Sequence, residues 1–383
     1  MIATGNCGHN HHRHQASSSM QIYLVGGAVR DELLGGHPPD RDYVVLGATE
    51  EAFLGAYPGA KKVGRREHCV YIHRGREFTL SDQPDIWADL ERRDLTINAA
   101  AKDEQGRILA TERTRRDLEN RVLRPVHPAN FRDDPLRCYR AARMAACFPE
   151  FTLHPELGDV LRHMADSGGL EHIAAERVCE EVRKACGCLA PGRFLQVLAE
   201  HGLFAIWFSE LAFLGEHQDA SPADPDLPGP ASAAERLDRL QGDALRVWMG
   251  MCSLLDAAAS PESSETRNSR AAGMARTMAQ RLKMPLVFIR AAEKAAGWIR
   301  AAARYNRLPP EARVDLLTDL ASHELNERML AVAAAISHDV NPKAWCDDLR
   351  RMDSVCLPPE KQGLGPESGR ILRRMRCESL RRG

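Results

Sequence analysis

Apolar positions in this chain change their period along its length. Between Ile22 and Leu80 they come in short, alternating runs, at Ile22 to Val25, Asp42 to Gly47, Lys62-Val63, His68 to His73 and Glu77 to Leu80, separated by glycine and proline. Runs of that kind predict the strands of one small sheet with short helices between them. From Phe131 onward the spacing becomes helical, through Phe131 to Ala146, Ile173 to Lys184 and Arg193 to Leu214. Further Ala-, Leu- and Arg-rich helical segments follow at 236–258, 270–282, 291–303, 311–323 and 326–337. The fold class read from this pattern is an α+β N-terminal head, a small mixed sheet with flanking helices, followed by an all-α neck, body and tail. The expected boundaries are a disordered leader at 1–19, the head at 20–125, the neck at 126–214, a Pro-, Asp- and Ser-rich linker at 215–234 and the body and tail at 235–383.

Composition changes this picture little. A chain of 383 residues with 44% hydrophobic and 27% charged content is an ordinary globular protein of two or more domains. A net charge of −1 gives no global sign of nucleic acid, although 52 Lys and Arg can still be segregated onto one face. No apolar run approaches the roughly 20 residues of a membrane span, and the N-terminus lacks the apolar region of a secretory signal. The eleven cysteines include no C-x-x-C pair, only Cys186-Gly187-Cys188 at close spacing. Free thiols in a reducing cytoplasm are therefore expected, and no zinc site.

The chemistry is concentrated in two stretches. In the first, a strand ends at Gly26-Gly27, a helix opens through Arg30, and Asp40-Arg41-Asp42 enters the next strand. Paired glycines let backbone N–H groups come close to a phosphate, and Arg30 adds positive potential. On an extended chain Asp40 and Asp42 share a face, so two hard oxygen donors meet beside that cradle, a donor set suited to Mg²⁺. Glu77 is a candidate third carboxylate. Downstream, Glu91 to Ala101 reads as a helix carrying Arg93, Asp94 and, one turn on, Asn98. In the second stretch Asp134, Arg137, Arg140 and Arg143 recur every three residues along a predicted helix. One fixed carboxylate with one fixed guanidinium matches the exocyclic amine and ring acceptor shared by cytosine and adenine, and mismatches uracil and guanine.

GGAVRD followed by DRDYVV resembles the signature of the nucleotidyltransferases that add CCA to tRNA 3′ ends, a class shared with bacterial poly(A) polymerases. RRDLTINA resembles the second motif of that family, which implies that Arg93 touches the nucleotide with Asp94 and Asn98 in support. DDPLR is similar to the family's E-D-x-x-R motif, implying that Asp134 and Arg137 read the base and that Arg140 and Arg143 bind phosphate oxygens. IAAERVCEEVRK resembles the helix that braces the neck, so Glu176 and Arg177 are read as structural. The resemblance further implies a pyrophosphate-releasing enzyme, Mg²⁺ on Asp40 and Asp42, CTP and ATP as substrates, and tRNA held by the body and tail. This chain departs from the pattern at Ala110 to Arg113, where relatives have Asp-Pro and then Gly, and at Asp133, where they have Glu. Three alternatives stay open: a CC-only enzyme, because Thr79 to Glu91 looks short, a poly(A) polymerase, and a non-catalytic RNA-binding protein. The phosphohydrolase that some relatives carry is not expected, since Cys252-Ser253 stands where its His-Asp pair would fall and His338-Asp339 lacks partners. Oligomeric state is not legible.

Overall fold

The computed structural model describes residues 20–36, 41–64, 69–216, 230–259 and 264–381. The expected leader, Asp40, His68 and residues 217–229 of the expected linker lie outside the described residues. The chain divides into two compact units, residues 1–120 and 121–383.

The first unit contains β1 (Gln21–Val25), α1 (Gly27–Leu33), β2 (Asp42–Leu46), α2 (Glu50–Ala56), β3 (Lys61–Val63), β4 (Val70–His73), β5 (Arg76–Ser81), α3 (Ile86–Glu91), β6 (Ala100–Lys102), β7 (Ile108–Ala110) and α4 (Glu112–Glu119). The strands form one seven-stranded sheet in the order β3-β4-β5-β2-β1-β6-β7. Neighbours pair antiparallel except β2 with β5, which run parallel and so leave the sheet mixed, as the pattern predicts. Alternation assigns the faces. Tyr71, Phe78, Tyr43 and Leu24 stand in one cross-strand row, and Phe53 of α2 packs into Tyr71 and Phe78 on that face with no exposed surface. Thr49 caps α2 by accepting the Ala52 N–H at 3.2 Å, and Asp85 caps α3 by accepting the Ala88 N–H at 2.9 Å.

Glu91 to Ala101 is not a helix. After α3 the chain turns through Arg92 to Asp94, makes a single 3₁₀ turn at Thr96–Asn98 and enters β6 at Ala100. The Asp94 carboxylate accepts the Leu95 N–H at 2.8 Å, a local bond that competes with helix propagation, and the β-branched pair Thr96-Ile97 weakens it further. The strands β6 and β7, reading AAK and ILA, carry no apolar–polar alternation for the pattern to show.

The second unit is helical apart from the two-residue pair β8 (Val122–Leu123) and β9 (Thr152–Leu153). Its helices are α5 (Ala129–Asp133), α6 (Arg137–Cys147), α7 (Pro155–Asp166), α8 (Ala175–Cys186), α9 (Pro191–Glu200), α10 (Phe213–Glu216), α11 (Pro230–Asp238), α12 (Ala244–Ser253), α13 (Leu255–Ala258), α14 (Ser264–Arg281), α15 (Leu286–Ala303), α16 (Pro310–Ala321), α17 (Asn326–Ile336), α18 (Pro342–Asp353) and α19 (Pro366–Arg381). None of the helices among the described residues is long and apolar enough to cross a membrane. The predicted helix from Phe131 is broken in two, because Pro135 holds the residue before it, Asp134, extended at φ −139° and ψ 93°. The helix α11 begins at Pro230, inside the expected linker, with proline at its favoured first position. One expectation for the cysteines fails. Cys147, the last residue of α6, is joined to Cys188 in a disulfide, because Ala190 N–H donates to Ala146 O at 3.0 Å and brings the two ends together. Cys252 is fully buried in α12, and Asp339 pairs with Arg307.

The helices α9 and α11 approach so closely that a Cβ on Gly192 would stand 2.1 Å from Ala234 O. Gly192→Ala therefore forces the pair apart, and we expect it to cost about 1–3 kcal/mol, read as a lower urea midpoint for the second unit.

Candidate functional site

In the first unit the site is built at the ends of β1 and β2. Gly26 closes β1, donating its N–H to Ala100 O at 3.1 Å, and then turns with φ 67° and ψ −130°, a conformation that side chains resist. Gly27 opens α1. Arg93 arrives from the turn after α3 and lies against Gly26, its Nη1 3.7 Å from where a Cβ would be. Asp89 aims it, accepting from Nη2 at 2.6 Å and Nε at 3.1 Å. Arg30 is buried at 8% exposure, with Nη2 3.3 Å from a Cβ placed on Gly27. Its Nη1 donates to Asn98 Oδ1 at 2.6 Å, and its Nε to Asp31 Oδ1 at 2.9 Å. Asn98 Nδ2 in turn donates to Asp94 Oδ1 at 3.1 Å. One buried chain, Arg30 to Asn98 to Asp94, thus ties the glycine turn to the RRD segment, although those parts are 68 residues apart in sequence.

Asp42 begins β2 and is exposed. It stands in register with Val25 on one side and Glu77 on the other, in a row opposite the aromatic face. Glu77 is exposed too, and donates its backbone N–H to Arg41 O at 3.4 Å. Parallel partners in register lie about 4.8 Å apart with side chains on the same face, so two carboxylates project together beside the glycine turn. Carboxylate oxygens that share an exposed face fit a hard divalent cation. Among the described residues no group of three or more His, Cys, Asp or Glu side chains is placed to hold a metal, and Asp40 lies outside them.

In the second unit Asp134 sits between α5 and α6. Arg177 of α8 grips it with both nitrogens, Nη1 to Oδ1 at 3.1 Å and Nη2 to Oδ2 at 2.8 Å, and Leu136 N–H donates to Oδ1 at 3.3 Å. Arg137, Arg140 and Arg143 all lie on α6 and are half-buried. Arg143 donates Nε to Glu181 Oε2 at 2.6 Å, and Glu181 is buried. Beside Arg137, burial first and then the Asp134 charge push the Cys138 thiol up to about 12, which rules it out as a nucleophile near neutral pH. Asp31, Asp89 and Glu181 escape a reading of the sequence as site residues. Asp89 has a legible signal in its i, i+4 spacing to Arg93, whereas Glu181 lies 38 residues from Arg143 with none.

Comparison with known proteins adds to this geometry. A family model described as the probable RNA and SrmB-binding site of polymerase A matches residues 150–214. The CCA-adding enzyme of Coxiella burnetii (strain RSA 331 / Henzerling II) is 37% identical over 234 residues, which cover 56% of this chain and 61% of that protein. The chain thus spans about three fifths of the length of this curated relative. The Bacillus stearothermophilus CCA-adding enzyme in complex with CTP superposes with TM-score 0.64 at 25% identity, covering 95% of this chain and 89% of that one. The Thermotoga maritima CCA-adding enzyme complexed with tRNA shares the fold, with TM-score 0.63 at 20% identity over 94% of this chain and 87% of that one. Over nearly its whole length the chain thus shares the fold of CCA-adding enzymes, and residues 150–214 match the polymerase A family model. In sequence it is similar to a CCA-adding enzyme over 56% of its length.

The backbone at Gly26 gives a direct check on the turn. Gly26→Ala should cost about 1–3 kcal/mol in the first unit, because its φ and ψ are near those reserved for glycine, and nucleotide affinity measured by calorimetry should fall with it.

Proposed function

We propose that the protein is a template-independent RNA nucleotidyltransferase that adds or repairs the 3′-terminal CCA of tRNA from CTP and ATP. The observation that carries this reading is the row in which Asp42 and Glu77 stand side by side beside the Gly26 turn and Arg93. The homology to CCA-adding enzymes supports the choice of reaction within the class.

The reaction joins the tRNA 3′-hydroxyl to the α-phosphorus of the nucleotide and expels pyrophosphate. In this scheme Gly26 and Gly27 bring backbone close to the triphosphate, and Arg93, held by Asp89, meets its oxygens. Arg30 works from below the surface. Its charge raises the potential at the start of α1, while Asn98 and Asp94 keep it in place. Asp42, with Glu77 in register beside it and Asp40 two residues earlier in the sequence, would hold Mg²⁺, which supplies Lewis-acid activation of the hydroxyl and charge for the phosphates. Our assignment of residues 20–125 as head and 126–214 as neck follows this division of labour, with the body and tail from 235 holding tRNA.

Base choice falls to Asp134 and Arg137. Of the four lone-pair positions on the Asp134 carboxylate, two bonds from Arg177 and one from Leu136 occupy three. One acceptor remains, the number that the exocyclic amine of cytosine or adenine requires, and Arg137 would donate to the adjacent ring nitrogen. Uracil and guanine would leave a carbonyl against the carboxylate, a mismatch that costs the unmade bond. Arg140 and Arg143 are assigned to phosphate oxygens, Arg143 with its Nε already committed to Glu181. A cytoplasmic site of action follows from the substrate, and the Cys147–Cys188 disulfide is the feature that pulls against it.

The decisive assay gives the protein CTP and ATP with a tRNA that lacks its CCA. Full CCA addition is expected, and arrest after CC or long A-tails on unstructured RNA would replace the reading with a narrower or different enzyme. Asp42→Ala should lower incorporation at least ~100-fold with tRNA binding largely kept, and near-normal turnover would remove Asp42 from the chemistry. Arg137→Ala should admit UTP and GTP, so unchanged selectivity would end the base-reading argument.

A further inference from the structure

The cross-strand row that carries the carboxylates does not stop at Glu77. Glu77 is in register with Ile72 of β4, and Ile72 with Lys61 of β3, so one row runs Lys61, Ile72, Glu77, Asp42, Val25 and Ala101 across the sheet. The faces are fixed by the neighbouring row, in which Lys62 turns to the helix side and bonds Glu50 of α2 at 2.7 Å and 2.8 Å. Lys61 therefore turns to the carboxylate side. The two ends of the row differ. Val25 and Ala101 are buried, whereas Lys61 is exposed and Ile72 keeps 38% of its surface in water. Val63, two residues from Lys61 and so on the same face, is 50% exposed. Ile72 and Val63 thus leave aliphatic surface open to water on the carboxylate-bearing face of the sheet.

Phosphoryl transfer answers the question of direction. Attacking and leaving oxygens lie roughly in line on opposite sides of the reacting phosphorus. On the reading given above, the leaving pyrophosphate belongs on the Gly26 and Arg93 side of Asp42. The attacking hydroxyl then approaches from the other side, over Glu77 and Ile72. We infer that the open half of this row is the track for the 3′ end of the acceptor RNA, with Ile72 seating the terminal nucleotide and Lys61 meeting a backbone phosphate behind it. Three strand spacings put Lys61 ~14 Å from Asp42, beyond the terminal nucleotide and in range of the chain that precedes it. The order along the row matches what the RNA end offers, with the hydroxyl at the carboxylates, the sugar and base face at the aliphatic residue, and the phosphate at the cation. This inference rests on the proposed reaction but makes its own demand, that two side chains outside the nucleotide site control RNA and not CTP.

A lysine on an edge strand also discourages edge-to-edge pairing, and that role would leave RNA affinity unmoved. The test uses Lys61→Ala, Lys61→Arg and Ile72→Ser in the full chain, with tRNA lacking CCA and with CTP. KM for tRNA should rise roughly five-fold in Lys61→Ala and in Ile72→Ser, with kcat and the KM for CTP unchanged, and Lys61→Arg should restore it. Binding of labelled tRNA by fluorescence anisotropy, with no nucleotide present, should show a salt slope smaller by about 0.7 in Lys61→Ala and the wild-type slope in Ile72→Ser. Wild-type tRNA KM and slope in both variants would overturn the track. Because the slope is read without turnover, it judges the track even if the wild-type protein fails to incorporate CMP, an outcome that would instead sink the proposed reaction.

Discussion

Everything in the first unit depends on a single parallel pairing. Among the described residues, β2 and β5 are the only parallel neighbours in an otherwise antiparallel sheet, and their register sets Asp42 beside Glu77. A shift of one residue would turn every side chain of β5 over, burying Glu77 among Phe53, Tyr71 and the ring of Tyr43, and exposing Phe78. The aromatic cluster forbids that. Phe78 is packed between Tyr43 at 5.1 Å and Phe53 at 5.5 Å, so the core on one face holds the acids in place on the other.

The same economy governs the arginines. An arginine held by an acid has its planar donors aimed and loses little further freedom when a ligand arrives. Asp89 aims Arg93, Asn98 and Asp31 hold Arg30, and Glu181 holds Arg143. Arg177 performs the converse service for Asp134, saturating most of an acceptor so that little of it remains to be matched. These partnerships are what convert scattered charged residues into directed ones.

Local interactions override pattern at two instructive places. At Arg93 to Asn98 the apolar spacing suits a helix, yet Asp94 bonds its neighbour's N–H and ends the run in a 3₁₀ turn. Asn98 still reaches Asp94, because a tight turn brings positions four apart together much as a helix does. At Asp134 a proline breaks the helix, and the break itself frees the carboxylate to face Arg177, where a helical residue would have been bound to its own surface.

By itself, the sequence determined the order of elements, since period and punctuation are local: strands β1 to β5, the glycine turn and most of the helical array are written in short windows of the chain. It also singled out the candidate site residues, because Gly26, Gly27, Asp42, Arg93, Asp134 and Arg137 sit at motif spacings within such windows. Only the tertiary structure decided which residues those act with. Arg30 finds Asn98 across 68 residues, Arg143 finds Glu181 across 38, and Cys147 finds Cys188 across 41. Pairings at such separations are set by how strands register and helices pack, and neither leaves a trace in local composition. The row from Lys61 to Asp42 is the clearest case, because each of its members comes from a different strand and they share only a place in the sheet.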